Sequence, residues 1–274
     1  MKHLYICYPQ GRYKAVTLSY DDGRIEDRRL VSILNRYGLK GTFHLNFGYL
    51  NGKDKGEEER YGKRIAEEEV STLYQGHEVA CHSVYHPTLT RCPHTFITEQ
   101  IMEDRKGLEN LTGYPVCGFS YPNGAFSQDI KEFLKSLGIE YGRIVGNTER
   151  FDIPDDFMEW KATCHHNHRL LELTDLFLTK EREQHLNLMY VWGHSYEFTR
   201  DDNWELIEEF ARRIGGKEDI WYATNIEICR YMQAFHRLVF TADSKKGYNP
   251  SSQSVWLSAD GEIVEAVPGK LTEF

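Results

Sequence analysis

Residues 15–23 read AVTLSYDDG. An apolar, β-branched run ends abruptly in two acids and a glycine, the pattern of a buried strand stopping at its C-terminal tip. The stretch after it, DRRLVSILNRYG (27–38), has helical spacing, with Leu30, Ile33, Leu34 and Tyr37 on one face and Gly38 as a stop. KGTFHLNF (40–47) reads as the next strand, IAEEEVSTLYQG (65–76) as a helix and HEVACHSV (77–84) as a strand. Between them, residues 51–64 (NGKDKGEEERYGKR) read as a charged, mobile loop.

The alternation runs on to about residue 230. Helices are expected at 98–113, 127–138, 170–180 and 203–215. Strands are expected at 116–121, 139–145, 160–167, 186–198 (LNLMYVWGHSYEF) and 219–224, the last followed by a helix. The strands are continuous hydrophobic runs, as in a parallel sheet covered by helices. About seven strand–helix units suit a barrel or a doubly wound sheet. Both place their active sites at the C-terminal ends of the strands. Asp21, Asp22, Asn46, His82, Asn123, His166 and His194 gather there. The tail differs: VWLSADGEIVEAVPG (255–269) alternates around Asp-Gly, a hairpin signal. The expected organisation is one α/β domain over 1–237 and a short C-terminal β appendage over 238–274.

With 40% hydrophobic residues the chain can fill a core. A formal net charge of −9 argues against a nucleic-acid binder, which needs a basic face. No apolar run reaches transmembrane length, and the N-terminus lacks the apolar core of a signal peptide. Six scattered cysteines without a CxxC pair fit a reduced setting, so a cytoplasmic location is expected.

Two histidines four apart, His82 and His86 in CHSVYHP, would share one face of a helical turn and could reach one ion. An exposed turn ended by Pro87 accounts for the same residues. Asp21 and Asp22 raise the odds of a metal, because neighbouring carboxylates over a core repel unless a cation or a task holds them. Adjacent side chains point different ways, so one can bind a metal while the other faces a water. Two His and one Asp leave open positions on a zinc-like ion. The ATCHHNH run adds His166 and His168 as a pocket wall, plain surface or a second metal site. Tyr121, Trp192 and Tyr196 are candidates to stack on sugar rings.

SYDDG, HSVYHP, FSYPNG and WGHSYEF, in this order, resemble the motif series of the NodB-homology polysaccharide deacetylases, carbohydrate esterase family 4. The likeness covers roughly residues 14 to 232. It implies a distorted, incomplete (β/α)7-type barrel. Asp22, His82 and His86 would hold a divalent metal, Zn2+ by preference, with Co2+, Ni2+ or Mn2+ as alternatives. Asp21 would be the general base and His194 the general acid. The Asn123 N–H would bind the oxyanion, and His166 would line the substrate pocket. The substrate would be an acetylated carbohydrate, with a small amide, or carbohydrate binding without catalysis, as alternatives. The chain departs from the family at Ser120, where many members carry an Arg that tethers the base. Arg24, Arg143 or another side chain could substitute, with a less well held base as the alternative. The acidic-Trp motif before the last histidine is degenerate, with Glu159 and Trp160 in DFMEW as its remnant.

Overall fold

The computed structural model describes residues 2–181 and 184–274. Its central sheet is parallel throughout. The strands are β2 (Lys14–Asp21), β3 (Gly41–Leu45), β4 (Glu78–Cys81), β5 (Gly118–Ser120), β6 (Tyr141–Asn147), β7 (Trp160–Ala162), β8 (Cys164–His165), β9 (Asn187–His194) and β10 (Ile220–Tyr222). They run in the order β7-β6-β5-β4-β3-β2-β9-β8, with β10 beside the first half of β2. The run 160–165, expected as one strand, changes partner at Thr163. Its first half pairs with β6 and its second with β9, which joins the two sheet edges. The result is a distorted, incomplete barrel of the seven-strand type.

Helices α1 (Asp27–Arg36), α3 (Glu67–Leu73), α4 (His94–Thr112), α5 (Gln128–Ser136), α6 (Leu170–Leu178) and α8 (Trp204–Ile214) contribute buried apolar residues to one core with the sheet. Strand alternation decides which side chains meet them. Val16, Leu18, Tyr20, Phe43, Leu45, Val79, Cys81, Met189 and Val191 belong to this core. The opposite parity fills the barrel. Leu188, Tyr190 and Trp192 pack there with Tyr141 and Trp160. Thr17, Ser19 and Asp21 share that inner face of β2. The N-terminus of α9 (Asn225–His236) plugs the floor. Thr17 Oγ1 donates to Asn225 Oδ1 at 2.8 Å, and the Ile226 N–H and the Tyr141 hydroxyl donate to the buried Glu78 at 2.9 and 2.8 Å.

Three local expectations are corrected. Residues 55–61 form a helix, α2 (Lys55–Tyr61), because Asp54 caps it by accepting the Glu57 N–H at 3.0 Å. The stretch 186–198 is not one strand: β9 stops at His194 and Ser195–Arg200 forms α7, where Glu197 accepts the His194 N–H at 3.1 Å. Residues 82–86 are a loop and not a helical turn, with Ser83 (φ 63°) and His86 (φ 53°) in the left-handed region.

The tail forms the expected hairpin, β13 (Val255–Ala259) with β14 (Glu262–Ala266). Its other edge pairs with the N-terminal strand β1 (Leu4–Cys7), in antiparallel register from Leu4↔Ala259 to Cys7↔Trp256. Among the described residues no helix is long and apolar enough to cross a membrane. Cys81, Cys92, Cys117, Cys164 and Cys229 are free thiols.

Candidate metal centre and active site

Register and parity assemble the site at the C-terminal ends of the strands. Asp21, last on β2, lies beside His44 of β3 and His194 of β9. All three sit on the inward parity. The strand breaks at Asp22, whose φ of 83° is unusual for a residue with a side chain. His82 follows β4 directly and is anchored twice. Its N–H donates to Leu45 O and to Asp104 Oδ2, both at 3.0 Å, while Asn46 Nδ2 donates to its carbonyl at 2.7 Å. The loop then returns His86, and the two imidazoles meet with centroids 4.6 Å apart at 73°.

One ligand atom each from Asp22, His82 and His86 lie within 4.8 Å of one another. The donor set fits a divalent ion. His82 Nδ1–H donates to Ser120 O at 2.8 Å, which leaves Nε2 with a free lone pair, the usual outer support of a metal-binding histidine. Burial, aided by His86 and Arg143 against Asp21 and Asp22, drives the His82 pKa down to about 3, so the ring is neutral. For Asp22, burial is outweighed by His194, Arg64, His82 and His86, and the carboxylate stays ionised. Two nitrogens and one oxygen leave a tetrahedral ion an open position.

Asp21 is 3% exposed. The Arg143 guanidinium and the Ser120 hydroxyl (3.1 Å) both donate to its Oδ2, and Oδ1 lies 3.3 Å from His44 Nδ1. Burial raises its pKa, but Arg143, His82 and His44 more than compensate and hold it well below the usual range. The missing motif arginine is therefore replaced from the next strand. Ser120 and Arg143 are register partners across β5 and β6, so a long side chain at 143 reaches the carboxylate that one at 120 would have met. Arg24 is not the substitute, because its guanidinium lies over the Tyr196 ring.

His194 has a carboxylate partner that sequence reasoning missed. Glu197, one turn on in α7, places Oε2 at 3.4 Å from His194 Nδ1 and 2.9 Å from His165 Nε2. Burial works against a charged His194, but Glu197, Asp22 and Asp21 outweigh it and raise its pKa. The signal was present as an acid three residues after a strand-ending histidine, hidden while SYEF was read as strand. His165, His166 and Glu197 form a second cluster of ligand-type atoms. The Asn167 N–H donates to His165 Nδ1 at 3.1 Å, which places the ring proton on Nε2, facing Glu197. That histidine is a hydrogen-bond donor to the carboxylate and not a metal ligand.

Asn123 takes the left-handed conformation (φ 59°), which its short amide side chain tolerates, and its Nδ2 donates to Thr88 Oγ1 at 3.0 Å. Asp22, His86, Asn123, His194 and Tyr196 line one cavity of about 640 Å³. Trp192 is 8% exposed on the inner wall, against His165, His194 and Arg143. Two expected pocket residues lie elsewhere. Tyr121 has the outward parity, is 1% exposed, and donates its hydroxyl to Met158 O. His166 is fully buried behind the sheet, stacked between Tyr20 and Phe198, in space that Gly193 leaves open. His168 is a surface residue paired with Glu149 at 2.6 Å. Glu159 pairs with Lys131 and Trp160 is core, so DFMEW supplies no group to the site.

Residues 8–142 match the family model described as polysaccharide deacetylase. Among curated proteins no match is found. Solved structures share the fold. A candidate polysaccharide deacetylase from Mycobacterium smegmatis aligns at 16% identity over 86% of this chain and 96% of that one, with TM-score 0.61. A family 4 carbohydrate esterase from Streptomyces lividans aligns at 16% over 77% and 93%, with TM-score 0.50. A family 4 pseudoenzyme from Bacillus anthracis aligns at 19% over 82% and 68%, also at 0.50. The order of the motifs and the matching family model lead to one assignment: residues 8–142 form a domain of the polysaccharide deacetylase family.

Proposed function

We propose that the protein is a metal-dependent deacetylase that removes the acetyl group from an N-acetylated sugar. The observation that carries this reading is the placement of a tethered carboxylate, Asp21, between the Asp22–His82–His86 cluster and the His194–Glu197 pair. An ion held by that cluster would supply Lewis acidity to the acyl oxygen and lower the pKa of a water from ~15.7 towards ~7. Asp21 accepts the proton of the attacking water. Arg143 and Ser120 fix its Oδ2, which lies 3.7 Å from His82 Nε2, trading some basicity for orientation. The Asn123 N–H, which has no backbone acceptor among the described residues, donates to the tetrahedral oxyanion, a type of contact worth roughly 3 kcal/mol. His194, its pKa raised against burial by Glu197, gives its proton to the leaving amine.

The lost motif arginine was the reason to consider binding without catalysis, and the Arg143 tether removes that reason. The reading is tested by acetate release from a panel of acetamido sugars, before and after chelation. Release should stop with chelator and return with zinc. Release that persists after complete metal removal would end the proposal.

A further inference from the structure

The cavity over the Asp22–His82–His86 cluster is basic, although the chain has a formal net charge of −9. Arg24, Arg60, Arg64 and Arg200 line it against two carboxylates, Asp22 and Glu57. These arginines are not equally engaged. Arg64 donates to Glu57 at 2.6 Å and to the Asp22 carbonyl at 2.5 Å, and Arg200 pairs with Asp201 at 2.7 Å. Arg24 and Arg60 have no carboxylate within ion-pair distance among the described residues. Arg24 is only 6% exposed and donates to the Gly62 carbonyl at 2.9 Å; Arg64 beside it repels its charge, while Asp22 and Glu26 attract it from beyond ion-pair distance. A buried guanidinium without a directly paired anion is costly, and folded proteins normally supply one. Arg60 stands on the exposed rim at the end of α2, over the Tyr61 ring at 5.1 Å. Guanidinium faces stacked on tyrosines, as Arg24 is on Tyr196 at 5.0 Å, leave their N–H edges free for a planar or tetrahedral oxyanion.

We propose that this mouth selects an acetylated sugar bearing an oxyanion, a phosphate or a carboxylate, which Arg24 and Arg60 bind while the acetamido group lies over Asp22, His82 and His86. The inference rests on the deacetylase reading and narrows its substrate. The acidic remainder of the surface does not oppose it, because charges more than ~8 Å away are largely screened at physiological salt.

The test compares N-acetylglucosamine, its 6-phosphate and N-acetylmuramic acid, whose ether side chain ends in a carboxylate. At least one anionic sugar should exceed the neutral one about 10-fold in kcat/KM, and the excess should shrink with added salt, since it is electrostatic. Preference for the phosphate or for the carboxylate identifies the source of the oxyanion. In Arg60→Gln and Arg24→Gln the anionic-to-neutral ratio should fall about 10-fold or more, mostly through KM, as expected for a charged hydrogen bond. Arg60 is exposed, so its variant keeps the test valid if Arg24→Gln fails to fold. Calorimetric binding of the same sugars to Asp21→Asn separates the two readings. Arg-dependent binding of an anionic sugar without acetate release in the wild type would overturn the deacetylase reading alone. A neutral sugar cleaved as well as both anionic ones, with Arg60→Gln unchanged, would overturn the inference alone.

Discussion

Replacing Arg143 by serine should damage the protein in two measurable ways, and moving the arginine one strand over should repair both. Arg143 and Asp21 are 1% and 4% exposed at their side chains, so the pair is shielded from water. Two unit charges about 4 Å apart attract by about 4 kcal/mol at an effective dielectric constant of ~20. Removing one member of a buried pair costs about 3–5 kcal/mol, because the other charge stays buried alone. With a urea m-value of about 3 kcal/mol/M, the Arg143→Ser midpoint should fall by about 1–1.7 M. Turnover should fall about 100-fold, the cost of a reacting group out of position by about 1 Å. Ser120 and Arg143 face each other in register, and the Ser120 hydroxyl already touches the same Asp21 oxygen. The double variant Ser120→Arg/Arg143→Ser should therefore regain most of the lost midpoint and turnover. Urea denaturation, acetate release and elemental analysis for metal are the three readouts, and metal content should stay level throughout. A single variant with wild-type midpoint and turnover, or a double variant no better than the single, would refute the tether.

The neighbouring acids should separate cleanly: Asp22→Asn should lose metal and activity together, while Asp21→Asn keeps the metal and loses turnover, and an active Asp21→Asn enzyme rules it out as base. Glu197→Gln removes the charge that raises the His194 pKa, so the basic limb of the kcat/KM profile should move to lower pH with metal content unchanged; an unmoved limb means that Glu197 does not tune His194. Burial pushes the Glu78 pKa from 4.5 up to about 7 against three hydrogen-bond donors. The folded chain then holds an extra proton between those values, so stability is fullest below pH ~4.5 and is lost as pH rises through ~7, by roughly 3 kcal/mol. Glu78→Gln should flatten that slope in denaturation curves, and parallel wild-type and variant slopes would count against it.

Strand ends were the most legible part of the site. Asp21, Asp22, His82 and His194 follow from apolar runs that stop in polar residues, and alternation then sets which of them face inward. The tether was not legible, because choosing between Arg24 and Arg143 needs the register of β5 against β6, and register is a property of the folded sheet. Glu197 was missed by misplacing the end of β9 by four residues' worth of sequence read as strand. Tyr121 illustrates the same limit: an aromatic next to a motif proline reads the same whether its parity carries it into the cavity or behind the sheet. The rim arginines were lost in a segment read as loop. Its glycines and charges concealed a short helix whose cap, Asp54, is the local clue. The pairing of the tail with β1 joins the two ends of the sequence, and neither segment carries a mark naming the other.

That last pairing bears on how the chain is made. The His3 N–H donates to a residue 257 positions later, Asp260, and β1 beside it has β13 as its strand partner. At about 5–20 residues per second, translation needs roughly 10–50 s to supply that partner. During this interval the strands of the central barrel emerge in turn and can pair, while β1 trails as an open edge with part-apolar side chains, Leu4, Tyr5 and Ile6. An unpaired edge is a template for the wrong neighbour. Residues 4–7 therefore wait for their strand partner until synthesis has passed residue 259, and a ribosome that stops short of residue 255 leaves β1 without it.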